Sequence, residues 1–149
     1  MCLAIPACVE QLIAEEKMEM AVNTLDKCIE AMPNHNVPFD RLMVPIIQNY
    51  YRIGEDDKAN EILDVVFNRY AEEFEYYLST DTETSISLQQ DIQMSFAVVQ
   101  RLNMFVNNLY PQDDEIKAKI GDRFEMLDKA FDAKIQEIET HRTQPRVKF

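Results

Sequence analysis

Apolar residues recur three and four positions apart along almost the whole chain, and this spacing constrains the fold more than any other feature of the sequence. It is the pattern of helices that bury one face and expose the other. Only two glycines occur in 149 residues, whereas the strands of a sheet protein of this length are usually joined by glycine-containing turns. The sequence therefore predicts an all-α fold.

Six helices follow from this pattern. The residues 79–85 between the fourth and fifth are all polar and rich in helix-capping types, so we expect a loop there. Pro45 lies early in the third helix and is expected to bend it or delay its start. Gly54, just after that helix, suits the positive φ that often ends a helix. The predicted helices cover residues 3–16, 18–32, 40–53, 56–78, 86–110 and 115–141.

The first four helices form two hairpins that repeat each other with the residue types of a tetratricopeptide (TPR) repeat. Ala21 and Ala59 are the small positions that let two helices approach closely. They are 38 positions apart, against about 34 in a regular TPR array, and we attribute the excess to an extended linker at 34–38. Val9 and Ile47 stand where a small residue is usual. The positions that carry the repeat signature are Ala21, Leu25, Pro33, Tyr50, Gly54, Ala59 and Leu63.

These patterns predict the organisation of the whole chain. Residues 1–78 form two TPR-like antiparallel helical hairpins, and residues 79–142 form a longer helical pair that caps them on the same core. Two hairpins are fewer than the three or so repeats that a free solenoid needs, which is why a cap is expected. Residues 143–149, with a proline and scattered basic side chains, are expected to be a flexible tail.

The same hairpins carry a more specific resemblance, in the runs Leu25-Asp26-Lys27-Cys28, Met32-Pro33, Tyr50-Tyr51, Gly54-Glu55 and Lys58-Ala59-Asn60-Glu61-Ile62. Over roughly residues 9 to 78 the chain resembles the C-terminal soluble region of a family of large bacterial multi-pass membrane proteins of uncharacterised function. That family is related to protein O-mannosyltransferase-like glycosyltransferases. The resemblance implies a domain detached from a membrane-embedded catalytic part, on the periplasmic side of the cytoplasmic membrane, with a cytoplasmic location left open.

Charge and motif content exclude several functions. The formal net charge of −12 repels the phosphates of nucleic acid and of anionic lipids, so neither is an expected partner, and any membrane contact is expected only through the parent region. Three cysteines without C-x-x-C spacing and two histidines predict no metal site. No nucleotide, phosphate or nucleophile motif is present, so we expect no cofactor and no catalytic residue.

The candidate contact residues are Gln48, Asn49, Tyr51 and Arg52. In TPR proteins the first helix of each hairpin lines a concave face that receives a peptide or helix, and these four side chains are expected to project from the third predicted helix into that groove. Packing of the tyrosine ring in the core, with its hydroxyl near water, is the competing interpretation.

The resulting functional hypothesis is a non-catalytic protein-interaction or scaffolding domain that binds a protein or peptide. One alternative is an accessory part of a transferase active site that contacts the acceptor or the sugar. A second alternative is a homodimerising helical domain. The sequence by itself leaves all three open.

Overall fold

The computed structural model describes residues 4–34, 36, 38–110 and 114–144, and its regular structure in these ranges is entirely helical. The predicted all-α class is confirmed. A 3₁₀ turn at Arg41–Met43 and a π-helical turn at Phe105–Leu109 accompany the α-helices. The α-helices are α1 (Ile5–Ala14), α2 (Met18–Ala31), α3 (Val44–Arg52), α4 (Asp56–Ser79), α5 (Thr82–Ser87), α6 (Gln89–Met104) and α7 (Asp114–Thr143).

Proline delays the third predicted helix, as expected. Asp40 accepts a hydrogen bond from the Leu42 N–H at 2.8 Å and opens the 3₁₀ turn, and α3 begins only at Val44, with Pro45 in its first turn. The missing N–H of a proline costs nothing there, because the first-turn donors have no partner within the helix.

Two predictions for the middle of the chain are wrong. The segment 79–85 is not a loop throughout, because α4 runs to Ser79 and α5 begins at Thr82. Asp81 caps α5 by accepting hydrogen bonds from the N–H of Thr84 at 3.0 Å and from its Oγ1 at 2.6 Å. The single helix predicted over 86–110 is instead α5, α6 and the π-helical turn. Capping residues begin helices as readily as they form loops, and the sequence pattern did not separate the two outcomes.

The chain divides into two compact units, residues 1–66 and 67–149, and the division falls inside α4. The predicted division after residue 78 comes at the end of that helix. The first part of α4 belongs to unit 1 and its second part to unit 2, so the unit boundary does not coincide with a helix boundary here. The capping role predicted for 79–142 stays a prediction, and the predicted tail 143–149 lies largely outside the described residues. The buried α4 residues are Ala59, Ile62, Leu63 and Val66 in unit 1 and Phe67, Tyr70, Ala71 and Phe74 in unit 2.

Within unit 1 the ends of α1 and α3 have the same backbone geometry. After α1, the N–H groups of Glu16 and Lys17 donate to the carbonyls of Ile13 and Leu12. The corresponding bonds after α3 run from Gly54 to Tyr51 and from Glu55 to Tyr50. Both sets have the Schellman pattern, in which a residue with left-handed backbone follows the helix. The predicted positive φ of Gly54 is confirmed, at 82°.

The packing of unit 1 places the signature alanines inside. α1 packs against α2 and α3, and α2 packs against α3. Ala21 and Ala59 are both 0% exposed, and residues 38 positions apart in sequence are buried alike, as with Val9 and Ile47 or Leu25 and Leu63. This equivalence supports a structural repeat of 38 residues. The TPR-like geometry of the helix pairs stays a prediction.

Unit 2 is built around an aromatic cluster on α4, α6 and α7. The rings of Phe96 and Phe131 stack with centroids 4.4 Å apart, and Phe74 lies 5.5 Å from Phe96 and 5.8 Å from Phe131. Phe124 stacks on Phe96 at 5.9 Å. Phe74 is 0% exposed, and the other three rings are half-buried. Each ring lies within the apolar spacing of its own helix, but that spacing did not indicate that the four would meet.

Candidate functional site

Two of the four predicted groove residues cannot contact a partner in this structure. Asn49 is 1% exposed and Tyr51 is 5% exposed. The Asn49 Nδ2 donates to the Pro6 carbonyl at 3.5 Å, and the Tyr51 hydroxyl donates to Asn60 Oδ1 at 2.6 Å. Burial, and after it the charge of Asp56, raises the pKa of Tyr51 above its ordinary value of 10. The competing interpretation of Tyr51 as a packed side chain is therefore the correct one.

The other two predicted groove residues remain accessible but do not complete a site. Gln48 is half-buried, and Arg52 is exposed at the end of α3. The Arg52 guanidinium lies 3.9 Å from a carboxylate oxygen of Glu10 on α1. Gln48, Asn49, Tyr51 and Arg52 do not form one surface, because nearly consecutive residues of a helix face different directions. Asn49 and Arg52 face α1, and Tyr51 faces α4. The predicted groove is thus not brought together.

A cleft of about 520 Å³ opens elsewhere in unit 1, between α2 and the first part of α4. We call it the α2–α4 cleft. Two signature residues, Pro33 and Tyr50, line it, whereas none of the predicted groove residues does. The apolar lining consists of Ile29, Pro33, Phe39, Tyr50, Ile62 and Val65, and the charged lining of Asp26, Glu30, Lys58 and Glu61.

The linker between the hairpins supplies one wall of this cleft. The side-chain oxygen of Asn34 accepts a hydrogen bond from the Phe39 N–H at 2.7 Å, which joins the residues at the two ends of the linker. Phe39 is 7% exposed and contributes its ring to the cleft. Phe39, directly after the linker, thus places an aromatic side chain in the same cleft as Ile29 of α2 and Ile62 and Val65 of α4.

A hydrogen-bonded cluster of Asp26, Tyr50 and Lys58 joins three helices at the edge of the cleft. The Lys58 Nζ donates to both carboxylate oxygens of Asp26, at 3.0 and 2.7 Å, and the Tyr50 hydroxyl donates to Asp26 Oδ1 at 2.8 Å. The Lys58 ammonium also lies 5.9 Å from the centre of the Tyr50 ring. The cluster thus links α2, α3 and α4 at the edge of the cleft.

The cluster changes the acidity of its members. Partial burial pushes the pKa of Asp26 upward, but the hydrogen bonds from Lys58 and Tyr50, together with the Lys58 charge, outweigh burial and hold that pKa below 3.8. The hydrogen bond to Asp26 raises the pKa of Lys58 above 10.5. Burial, and then the Asp26 carboxylate, raises the pKa of Tyr50 well above 10. All three groups thus keep their charge states throughout the neutral range.

No family model, curated protein or solved structure matches this chain. What the α2–α4 cleft can do is therefore argued from its own chemistry. Its apolar floor and its volume are those of a site that takes a bulky apolar side chain. In the described ranges no group of three or more histidine, cysteine, aspartate or glutamate side chains is placed to hold a metal ion. No described helix combines the length and apolar character that a membrane span requires.

The sequence analysis did not identify Asp26 and Lys58, the ion pair at the edge of the cleft. Asp26 and Lys58 stand in the runs that carry the family resemblance, but they are 32 positions apart, on two helices whose facing sides the spacing pattern does not identify. One signal in the sequence could have identified Asp26. It is a charged residue beside the buried Leu25, on the apolar side of α2. A carboxylate so placed needs a partner.

Proposed function

We propose that this chain is a protein-interaction module of TPR-like type, and that unit 1 binds a segment of its partner in the α2–α4 cleft. The observation that carries the proposal is the cleft itself: about 520 Å³ of space with six apolar lining residues, bounded by the Asp26–Lys58–Tyr50 cluster. Binding energy at protein interfaces concentrates where one or two bulky side chains enter a well-packed pocket. The cleft has the size and the lining of such a pocket.

The setting of the module is proposed from the sequence resemblance alone. On that basis we propose that it is the soluble C-terminal region of a membrane glycosyltransferase-like protein and acts on the periplasmic side of the cytoplasmic membrane. The partner would then be a protein that meets the parent at that surface.

Blocking the cleft tests the proposal. Ile29 lines the cleft on α2, whereas Met20 on the same helix is 56% exposed and lies outside it. A tryptophan at position 29 fills part of the space, and a tryptophan at position 20 adds the same side chain elsewhere. A random peptide library displayed on phage is selected against the unaltered chain, and enriched peptides are measured on Ile29→Trp and Met20→Trp.

The expected result is that enriched peptides bind the unaltered chain and Met20→Trp equally and bind Ile29→Trp at least about tenfold more weakly, which is about 1.4 kcal/mol. Both variants must unfold in urea at similar midpoints, so that lost binding is not lost folding. Equal binding to both variants, or no enriched peptide at all, would refute the proposal. Sedimentation showing a dimer that Ile29→Trp dissociates would instead assign the cleft to homodimerisation.

A further inference from the structure

We propose that the partner segment is basic, with a bulky apolar residue that enters the α2–α4 cleft and with lysine or arginine side chains on either side of it. This inference rests on the proposed function and adds the chemical class of the partner.

The charged residues that line the cleft carry more negative than positive charge. Three carboxylates line it, from Asp26, Glu30 and Glu61, against the single ammonium of Lys58. Lys58 is already held by both oxygens of Asp26, so two negative charges remain uncompensated. A site with an excess of one charge favours a ligand of the opposite charge.

The two uncompensated carboxylates are well placed for such a ligand. Glu30 lies on α2 and Glu61 on α4, so each wall of the cleft carries one. Both side chains are exposed, and neither makes an ion pair within the described part of the chain. A peptide whose apolar residue sits on the floor formed by Ile29, Ile62 and Val65 would bring flanking cations to both walls.

The net charge of the chain points the same way. At −12 the molecule attracts basic segments and repels acidic ones over distances of about 10 Å at moderate salt. Cations at the rim of an interface act mainly through orientation and association rate, while the buried apolar residue supplies most of the affinity. The two parts of the ligand therefore make separable contributions.

Two fluorescein-labelled probe peptides separate these contributions. Both carry a central pair of leucines; lysines flank the pair in one and glutamates in the other. Fluorescence anisotropy with the unaltered chain at about 50 mM salt is expected to give at least about tenfold tighter binding of the lysine peptide, which about 200 mM salt weakens. Equal affinities, or a preference for the glutamate peptide, would overturn the charge inference but not the proposed function. Failure of both peptides, with no peptide enriched from the library, would overturn both.

A charge reversal at the two walls locates the effect. The variant Glu30→Lys/Glu61→Lys is expected to bind the lysine peptide at least about tenfold more weakly and to bind the glutamate peptide more tightly. The control Glu72→Lys/Glu139→Lys changes the net charge equally, at exposed residues outside the cleft, and should alter the affinity no more than about twofold. Equal loss in both variants would mean that net charge alone attracts the peptide, and would overturn the assignment to this cleft.

Other occupants give different results. A second copy of the chain would appear as a dimer in sedimentation that the lysine peptide dissociates. The segment 145–149, which contains Arg146 and Lys148, would compete with the peptide if it occupied the cleft, so a chain ending at Gln144 would bind the peptide more tightly. Either result would replace the partner proposed here.

Discussion

Glu16 and Gly54 occupy the same position in two equivalent helix ends, with φ angles of 58° and 82°. Each follows a helix of unit 1, and each donates its N–H to a carbonyl in the last turn of that helix. A left-handed backbone costs a residue with a Cβ about 1–2 kcal/mol, whereas glycine adopts it freely. The end of α3 therefore carries the favourable residue at this position and the end of α1 does not.

Removing the glycine at position 54 and introducing one at position 16 should change the free energy of unfolding in opposite directions. Gly54→Ala is expected to lower the free energy of unfolding by about 1 kcal/mol through backbone strain alone, since a Cβ there meets no atom within 4 Å. Glu16→Gly should raise it by about 0.5–1 kcal/mol, because the strain it removes exceeds the extra chain entropy of glycine. Urea unfolding measures both. A Gly54→Ala variant as stable as the unaltered chain would contradict a left-handed backbone at the end of α3.

Replacing either of the two buried alanines by a larger side chain should destabilise the chain. Ala21 and Ala59 are 0% exposed, so Ala21→Leu and Ala59→Leu are each expected to destabilise the chain by about 1–3 kcal/mol through overpacking. Ala7 and Ala31 are exposed on α1 and α2, and leucine there should change stability by less than about 0.5 kcal/mol. Urea midpoints compare the four variants. Similar effects at buried and exposed sites would contradict the close helix packing inferred from the repeat.

The Asp26–Lys58 pair should stabilise unit 1 only within a defined pH range. Because the folded state lowers the pKa of Asp26 below 3.8, its contribution is present above that pH and is lost as the pH falls through the folded value. Because the folded state raises the pKa of Lys58 above 10.5, that contribution is complete below 10.5 and is lost as the pH rises further. Both side chains are more than a third exposed, at 34% and 41%, so solvent screening limits the pair to about 0.2–1 kcal/mol.

Asp26→Asn measures this dependence. The difference in unfolding free energy between the unaltered chain and Asp26→Asn should be constant near neutral pH and should shrink below pH 3.8. Asp40→Asn is a control at another aspartate of unit 1 that no described lysine contacts. A difference that grows as the pH falls would reverse the predicted sign.

Replacing a buried lysine of unit 2 should lower the free energy of unfolding more than replacing an exposed one. Lys134 is 7% exposed, and its Nζ donates to the Thr80 carbonyl at 2.7 Å and to both Glu137 oxygens at 3.2 Å. Lys134→Met leaves that carbonyl without this donor and should cost about 1–3 kcal/mol. Lys129 on the same helix is exposed and pairs only with Glu125 among the described residues, so Lys129→Met should leave the urea midpoint unchanged. Equal effects would mean that the Thr80 bond contributes nothing.

One glycine in α7 offers a stabilising change. A Cβ at Gly121 would lie 3.7 Å from the Asn107 side chain of the π-helical turn, which is an ordinary contact. Gly121→Ala should therefore raise the free energy of unfolding by about 0.5–1 kcal/mol, because alanine favours the helix and loses less entropy on folding. A loss of stability in thermal or urea unfolding would show that the Asn107 side chain lies closer to position 121 than the 3.7 Å given above.

The helical class, the delayed start of α3 and the positive φ of Gly54 could be predicted because each depends on local rules: spacing of apolar residues, the missing N–H of Pro45 and the absent Cβ of glycine. The polar stretch 79–85 was predicted less well, since Asp81 can end a loop or begin a helix with the same hydrogen bonds. Local chemistry leaves that choice open.

The sequence by itself determined that Ala21, Leu25, Ala59 and Leu63 are buried, because each lies on the apolar face that periodicity defines along its helix. Only the tertiary structure decided which helix faces meet. Asn49 and Tyr51, predicted to line a groove, are instead buried and bonded to α1 and α4. Asp26 and Lys58, 32 positions apart, meet at a cleft that the spacing pattern did not indicate. The physical reason is that hydrophobic burial is non-directional, so it specifies an inside for each helix without specifying the neighbour that covers it.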